Sequence, residues 1–365
     1  MTRPLRIAGG GLSGLATAVL LAREGVAVEV HDRRVGGGGR FHGGWQVLEN
    51  GTGAEDAHDE LRRLGLPTDF EAIPVRSATF LDGLGGRHEV ASREPYSYFI
   101  RRGGGEGSLD AALRRQAVAA GVVLHEGAAA PADADIDATG PRQADGVARE
   151  TVFASDLADT VAVLFDPAVT PTGYAYLFCL GGRATFGVAQ VRRTGRLRAA
   201  RDQAWARFRA ELGGFAVRDV REGGQFMNFS LPRSLRDRRG RWHVGEAAGV
   251  QDFLYGLGNR LALRSARLAA DGVLGRWDEA RFRREVLRPM RATVALRFAY
   301  ERLGRRGFAA FCRAAARRDF RGLLVAVQRP RAASLLLAGL VMAAWRERDG
   351  CRHGELCTWC RERER

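Results

Sequence analysis

Leu5-Arg6-Ile7-Ala8-Gly9-Gly10-Gly11-Leu12-Ser13-Gly14 opens the chain, and Val26-Ala27-Val28-Glu29-Val30-His31-Asp32 follows it at the spacing of one helix. Leu5 to Ala8 reads as a short apolar strand. The glycines form a tight turn, about Leu12 to Glu24 a helix ended by Gly25, and alternating Val26, Val28 and Val30 a second strand ending at Asp32. This is a βαβ unit carrying GxGxxG between its first strand and its helix. Gly9 permits the turn, and Gly11 lets backbone N–H groups approach a pyrophosphate at the helix N-terminus. Ala18, four residues beyond Gly14, is small enough for the helix to lie close to the sheet. Asp32, eighteen residues beyond Gly14, is placed to accept hydrogen bonds from an adenosine ribose. The unit therefore predicts a dinucleotide site.

Outward from this unit the pattern stays α/β. Residues 55–64 read as a short helix, and residues 69–100 as short strands with turns at Asp82-Gly83 and Gly85-Gly86. Ser108 is a candidate N-cap for a helix through about Ala120, with Ala111 where a capping box would carry Glu. Val122 to Leu124 and Ile136 to Ala138 read as strands, and residues 151–190 as a run of strands in which Val161, Val163 and Phe165 alternate. Ala199 to Leu212 and Arg260 to Leu274 read as helices, Trp242 to Val244 as a strand, and the chain from Asp278 onward as almost wholly helical. No internal repeat is present.

The 365 residues carry 57 Lys+Arg against 42 Asp+Glu, and every one of the basic residues is arginine. A chain without lysine performs neither Schiff-base chemistry nor P-loop phosphate binding. Its net charge of +15 favours anionic membranes, phosphorylated ligands or nonspecific nucleic-acid contact, but no nucleic-acid motif accompanies it. The first residues lack the pattern of a signal peptide, and the longest apolar run, Ala332 to Trp345, is shorter than a membrane span. Of five cysteines, three fall in the last fifteen residues, which fits a reduced, cytoplasmic protein.

Three further segments carry a resemblance. Arg33-Arg34-Val35-Gly36-Gly37-Gly38-Gly39-Arg40 resembles the GG motif after the second strand of glutathione-reductase-type flavoproteins. Asp137-Ala138-Thr139-Gly140 resembles their ATG strand-turn, and Gly245-Glu246-Ala247-Ala248-Gly249 with Gly256-Leu257-Gly258 resembles their GDAAG…GxG segment, with Glu in place of Asp. The resemblance implies FAD. Arg40 would face its pyrophosphate, Glu246 its ribityl chain, and the helix after Gly258 the pyrimidine carbonyls, favouring the charge of reduced flavin. The expected cofactor set is Gly9, Gly11, Leu12, Ser13, Gly14, Asp32, Arg33, Arg40, Arg101, Gly140, Gly245, Glu246, Gly256, Leu257 and Gly258. The expected fold is a Rossmann-like three-layer FAD-binding domain (residues 1–75, 101–150 and 236–277). Inserted in it is a mostly antiparallel β-sheet substrate domain (76–100 and 151–235), and a helical region (278–346) and a Cys/His-rich tail (347–365) follow.

Pro171-Thr172-Gly173-Tyr174-Ala175-Tyr176-Leu177-Phe178-Cys179 resembles the PxxYxWxFP motif of the geranylgeranyl reductase family, with Tyr176 for Trp and Cys179 for the final Pro. In that family reduced flavin gives a hydride to a prenyl double bond and a proton follows. Strand alternation puts Tyr174, Tyr176 and Phe178 on one face, where they are expected to line a pocket for a small apolar or lipid-like substrate. Electrons would come from NAD(P)H or a redox protein; no second GxGxxG is present, and its absence does not choose between them. The alternatives are a flavin monooxygenase, whose DG motif Asp145-Gly146 echoes, and a flavin-binding partner subunit without catalysis. A flavin halogenase is disfavoured by the lack of lysine and of a WxWxIP segment.

Cys351, His353, Cys357 and Cys360 lie within ten residues, and the last two have the CxxC spacing of a zinc knuckle. A structural zinc is the expectation, with a Cys357–Cys360 redox pair or unliganded thiols as alternatives. Residues 300–346 alternate arginine clusters with apolar faces. They read as a helical cap, or as a peripheral surface on the inner face of a membrane.

Overall fold

β1 (Leu5–Ala8), α1 (Leu12–Ala22) and β2 (Val28–Asp32) form the βαβ unit in the computed structural model, which describes residues 3–36, 38, 41–191, 195–345, 353 and 355–358. The chain continues through β3 (Trp45–Glu49), α2 (Ala57–Leu64), β4 (Ala72–Val75), the hairpin of β5 (Ser77–Asp82) and β6 (Arg87–Ala91), and β7 (Ser97–Arg101). Then come α3 (Leu109–Ala119), β8 (Val123–Glu126) and β9 (Ile136–Asp137). Four long strands, β10 (Gly146–Ala154), β11 (Thr160–Phe165), β12 (Gly173–Leu180) and β13 (Arg183–Val191), precede α4 (Leu197–Leu212) and β14 (Arg218–Met227). β15 (Trp242–His243) and α5 (Asn259–Val273) lead into the helical end, α6 (Glu279–Phe282), α7 (Arg288–Tyr300), α8 (Gly304–Ala316), α9 (Phe320–Gln328) and α10 (Ala332–Trp345).

These strands make three sheets. The first is wholly parallel, in the order β15-β9-β1-β2-β8. Its helix α1 is buried from Leu12 to Leu21 and packs with α3 and α5 in the main apolar core. Ser108 caps α3 as expected, its Oγ accepting from the Ala111 N–H at 3.1 Å. The second sheet, β14-β10-β13-β12-β11-β5-β6, is antiparallel except for the parallel β11–β5 pair. The third joins β3, β7 and β4.

Two segment boundaries differ from the sequence reading. β10 begins at Gly146, so the large sheet starts before residue 151. β7, expected in the inserted sheet, instead pairs with β3 and β4 from the first segment, and Trp45, Val75 and Phe99 from these strands pack on Tyr176 and Phe178. Short strands carry an apolar period but nothing that states which sheet they join.

The helical end closes one side of the large sheet. Phe308, Cys312 and Phe320 pack on Phe80 and Phe165. From α7, Tyr300 donates to the Gly173 carbonyl at 2.6 Å, and buried Arg297 donates to the Leu254 carbonyl at 3.0 Å and to that of Thr172. Among the described residues no single helix is long and apolar enough to cross a membrane; α9 and α10, bent by 62°, reach that length and apolarity only together.

Candidate active site

A cleft of about 770 Å³ opens at the carboxyl ends of the parallel strands. Its glycines divide by job. Gly9 sits at φ +105°, and a Cβ there would lie 2.3 Å from the Ala138 carbonyl oxygen. A Cβ on Gly14 would lie 2.0 Å from the Gly9 carbonyl oxygen. These two close the turn. Gly11 has an ordinary φ of −83°, lines the cleft, and has nothing within 4 Å of a would-be Cβ. It leaves room for a ligand to reach the backbone.

Gly11 caps α1 and Gly258 caps α5, neither with a side-chain hydrogen bond, and both ends face the same cleft. Two helix N-termini thus converge on one volume, a setting for an anion. Asp32 faces the cleft while its Oδ2 accepts from the Gly10 N–H at 2.7 Å and its Oδ1 from the Arg34 N–H at 2.8 Å.

Gly9, Gly11, Leu12, Ser13, Asp32, Arg33, Gly140, Gly245, Glu246, Gly256, Leu257 and Gly258 all line this cleft. Gly14 stands behind it, against the turn, and Arg40 lies outside the described residues. Arg101 needs correction: its Nε pairs with Glu71 at 2.9 Å and it does not border the cleft. The next residue does. Successive side chains of an extended strand point to opposite sides, and Arg102, 4% exposed, turns inward to grip Asp110 with two bonds of 2.7 and 3.0 Å. Its guanidinium lies over the Phe41 ring and reaches Asn259 Oδ1 at the start of α5.

A second cavity, of about 200 Å³ and mostly apolar, adjoins the first. Tyr174, Tyr176 and Phe178 line it from one face of β12, while Ala175, Leu177 and Cys179 point the other way, into a core shared with α4. Ring centroids are 5.8 Å apart for Tyr174 and Tyr176, and 4.8 Å for Tyr176 and Phe178. Gly187, opposite Tyr176 on β13, makes space for the ring: a Cβ there would lie 2.3 Å from Tyr176 Cζ. Gln46, Gln225, Phe226, Glu246, Gln251 and Leu257 border both cavities.

The aromatic cavity has a polar floor that the sequence did not announce. Buried Glu150 accepts from the Tyr176 hydroxyl at 2.5 Å and from the Gln46 and Gln225 side-chain amides at 2.9 Å each. The one signal was its position, between Ala148 and Val152 on an otherwise apolar strand face. Burial pushes the phenols of Tyr174 and Tyr176 well above their usual range, and the Glu150 charge adds to the effect on Tyr176. Both stay protonated at neutral pH. The Tyr174 hydroxyl donates to the Tyr255 carbonyl at 2.8 Å.

Glu49, 4% exposed, also lines this cavity and accepts from the Arg260 N–H in the first turn of α5 at 3.0 Å. Burial pushes its carboxyl up to about 7; backbone hydrogen bonds oppose the shift and the Asp252 charge reinforces it. Asp252 is itself raised by burial, despite N–H donors from Leu254 and Tyr255.

No protein-family model and no curated protein matches the chain. Solved structures do share its fold. A geranylgeranyl bacteriochlorophyll reductase-like protein from Thermoplasma acidophilum aligns with a TM-score of 0.67 at 15% identity, over 92% of this chain and 95% of that one. The p-nitrophenol 4-monooxygenase of Pseudomonas putida DLL-E4 aligns at 0.60 and 14%, over 94% and 97%. A myxobacterial chondrochloren halogenase, described as FAD-dependent, aligns at 0.56 and 17%, over 95% and 98%. The chain has the fold that these proteins share. A reductase-like protein, a monooxygenase and a halogenase share it, so this architecture carries several reactions.

The described residues of the C-terminal tail form a strap against the body of the protein. Cys351 and Cys360 lie outside the described residues. His353 Nε2 is engaged by Asp145 Oδ2 at 2.7 Å, and the Cys357 side chain hydrogen-bonds the same imidazole. Burial disfavours the His353 charge, but Asp145 and Cys357 outweigh it and push the imidazole up to about 11. Cys357 is buried in the main core and bridges Pro232, with backbone bonds from Arg233 to Leu356 and from Thr358 to Leu231, each 2.8 Å. His353 is held by Asp145 and Cys357, and the other two expected ligands lie outside the described residues, so these residues give zinc no support. The same geometry accounts for Asp145: it also accepts from the Phe229 N–H at 2.7 Å, and it borders neither cavity. Cys179 and Cys312 are fully buried, and burial pushes their thiols up to about 11 and about 12.

Proposed function

We propose that the chain binds FAD and reduces a carbon–carbon double bond of an isoprenoid or another apolar substrate. The observation that carries this reading is the aromatic cavity sharing its walls with the dinucleotide cleft. The cleft suits FAD: it falls within the usual volume of a ligand site, about 300–1,000 Å³, and two helix N-termini without side-chain caps face it. Leu12 and Ser13 would meet the pyrophosphate, Asp32 the adenosine ribose, Glu246 the ribityl chain, and the start of α5 the pyrimidine carbonyls. Bound reduced flavin supplies a hydride. Tyr174, Tyr176 and Phe178 would exclude water and hold the apolar chain within their cavity. The Tyr176 hydroxyl, whose hydrogen is donated to Glu150, would on turning away from the carboxylate give that proton to the carbon opposite the one that takes the hydride.

A lipid-like substrate also suits the helical end. Phe320 and Leu324 of α9 line the cavity, and the chain passes from there through Arg329 and Arg331 into α10, which exposes Leu336, Leu337 and Leu340. Electrons would enter from NAD(P)H or a redox protein.

The test is anaerobic. Protein whose flavin has been reduced with dithionite is mixed with a prenyl alcohol under argon, with flavin absorbance and product mass as readouts. Reoxidation with addition of two hydrogens to the alkene is expected. Reoxidation only by dioxygen, with an oxygen atom in the product, would overturn the reductase reading in favour of a monooxygenase. Purified protein that retains no flavin would overturn the cofactor.

A further inference from the structure

Beside the cleft, on the parallel sheet, three side chains converge for which neither the fold nor the proposed reaction has a use. Glu29 and His31 are two residues apart on β2, so they share a face, and His31 is in register with His125 on β8. Val28 and Val30 point to the opposite face, into the core with α1. The two imidazoles stack with centroids 4.3 Å apart and planes 15° from parallel. Glu29 Oε2 lies 3.6 Å from His31 Nε2 and 3.8 Å from His125 Nε2. Both distances exceed a hydrogen bond, and both nitrogens are buried without a hydrogen-bond partner.

Two imidazole nitrogens and one carboxylate oxygen, with all three ligand atoms within 4.8 Å of one another, form a known type of donor set. Zinc binds His nitrogen and carboxylate oxygen at about 2.0–2.2 Å, which puts tetrahedral ligands about 3.4 Å apart. The observed separations are close to that spacing. Buried imidazole nitrogens facing one carboxylate at slightly more than contact distance are what an ion between them would satisfy. We propose that Glu29, His31 and His125 bind a divalent cation of the zinc class, with a fourth position left for water or another ligand. The nearest competitor is Arg6 on β1, whose Nε is 3.7 Å from Glu29 Oε2 and whose Nη1 already reaches Asp133 at 3.3 Å. His31 also borders the dinucleotide cleft next to Asp32, so the cation would sit at the edge of that cleft.

The experiment uses full-length, tag-free protein with its flavin, stripped by chelator and titrated with zinc chloride by calorimetry. The comparison is between wild type, His125→Ala, Glu29→Gln and Cys357→Ser. Zinc uptake that survives Cys357→Ser and weakens by at least about tenfold in both other variants is expected, since losing a direct ligand costs no less than losing an outer-shell partner. X-ray absorption at the zinc edge of the wild type should show a nitrogen/oxygen shell with imidazole scattering. Absence of zinc binding, a sulfur shell, or uptake lost only in Cys357→Ser would overturn the site. Retained flavin absorbance and circular dichroism separate loss of metal from loss of fold.

Discussion

The two cavities share walls but are built differently. The dinucleotide cleft is made of backbone: Gly9 and Gly14 close a turn, Gly11 opens a space, and α1 and α5 begin without side-chain caps. The aromatic cavity is made of side chains from β3, β7, β10, β11, β12 and α9, with Glu150 tying Tyr176 to Gln46 and Gln225. A backbone site tolerates substitution wherever the chain geometry is preserved. A side-chain site depends on each group having its partner.

The largest effect expected would break the comparison at the glycines. Gly9→Ala forces a Cβ against the Ala138 carbonyl at positive φ and should cost about 3 kcal/mol or more, seen as insoluble or colourless protein. Gly11→Ala should leave the melting temperature of the apoprotein unchanged and lower FAD affinity at least tenfold by fluorescence titration, because its Cβ would occupy only ligand space. Equal damage from both would mean that Gly11 serves the fold.

In the aromatic cavity, Tyr176→Phe keeps the ring and removes the proton. Turnover on a reducible alkene should fall by about 100-fold, with flavin content and KM little changed. Unaltered turnover would remove Tyr176 from the reaction and leave it as a wall. Glu150→Ala strands the Tyr176 hydroxyl and two amides, and should destabilise by about 1–3 kcal/mol in urea unfolding.

Glu49 supplies a pH test. Its carboxyl is raised to about 7 by burial, so the folded state prefers the protonated form. That contribution is present in full below the unfolded value of about 4.3 and is lost as pH rises through about 7. Wild-type stability should therefore fall across this window by about 1–3 kcal/mol relative to Glu49→Gln, which keeps an acceptor for the Arg260 N–H. Parallel profiles would mean that the carboxyl titrates normally.

The smallest effect belongs to the strap. His353 is raised to about 11 by Asp145 and Cys357 against burial. Its contribution is full below the unfolded value of about 6.5 and disappears as pH climbs through about 11. His353→Ala should cost about 1–2 kcal/mol at neutral pH, and the difference from wild type should close in strong alkali.

The same contrast explains what could be read from the residues alone. GxGxxG and the turns at Gly140, Gly245 and Gly256 are local, because each states a backbone geometry that glycine permits, and Asp32 is local because it ends the strand that the same unit defines. The alternation of Tyr174, Tyr176 and Phe178 is equally local. Glu150 and Gln225 are 75 residues apart and meet only because β10 pairs with β14. Arg102 is not legible from the sequence, because which of two adjacent arginines at a strand's end turns inward depends on pairing with β3 and β4. The tail's docking is illegible for a related reason: the partner of His353, Asp145, lies 208 residues away.

The shared walls have one more consequence. Gln46, Gln225, Phe226, Glu246, Gln251 and Leu257 cannot be desolvated on one side without a change on the other. Occupancy of the two cavities is therefore thermodynamically linked, and the linkage is reciprocal: whatever factor an apolar ligand applies to dinucleotide affinity, the dinucleotide applies to the ligand. Two binding isotherms, each measured with the other cavity full and vacant, must give the same ratio.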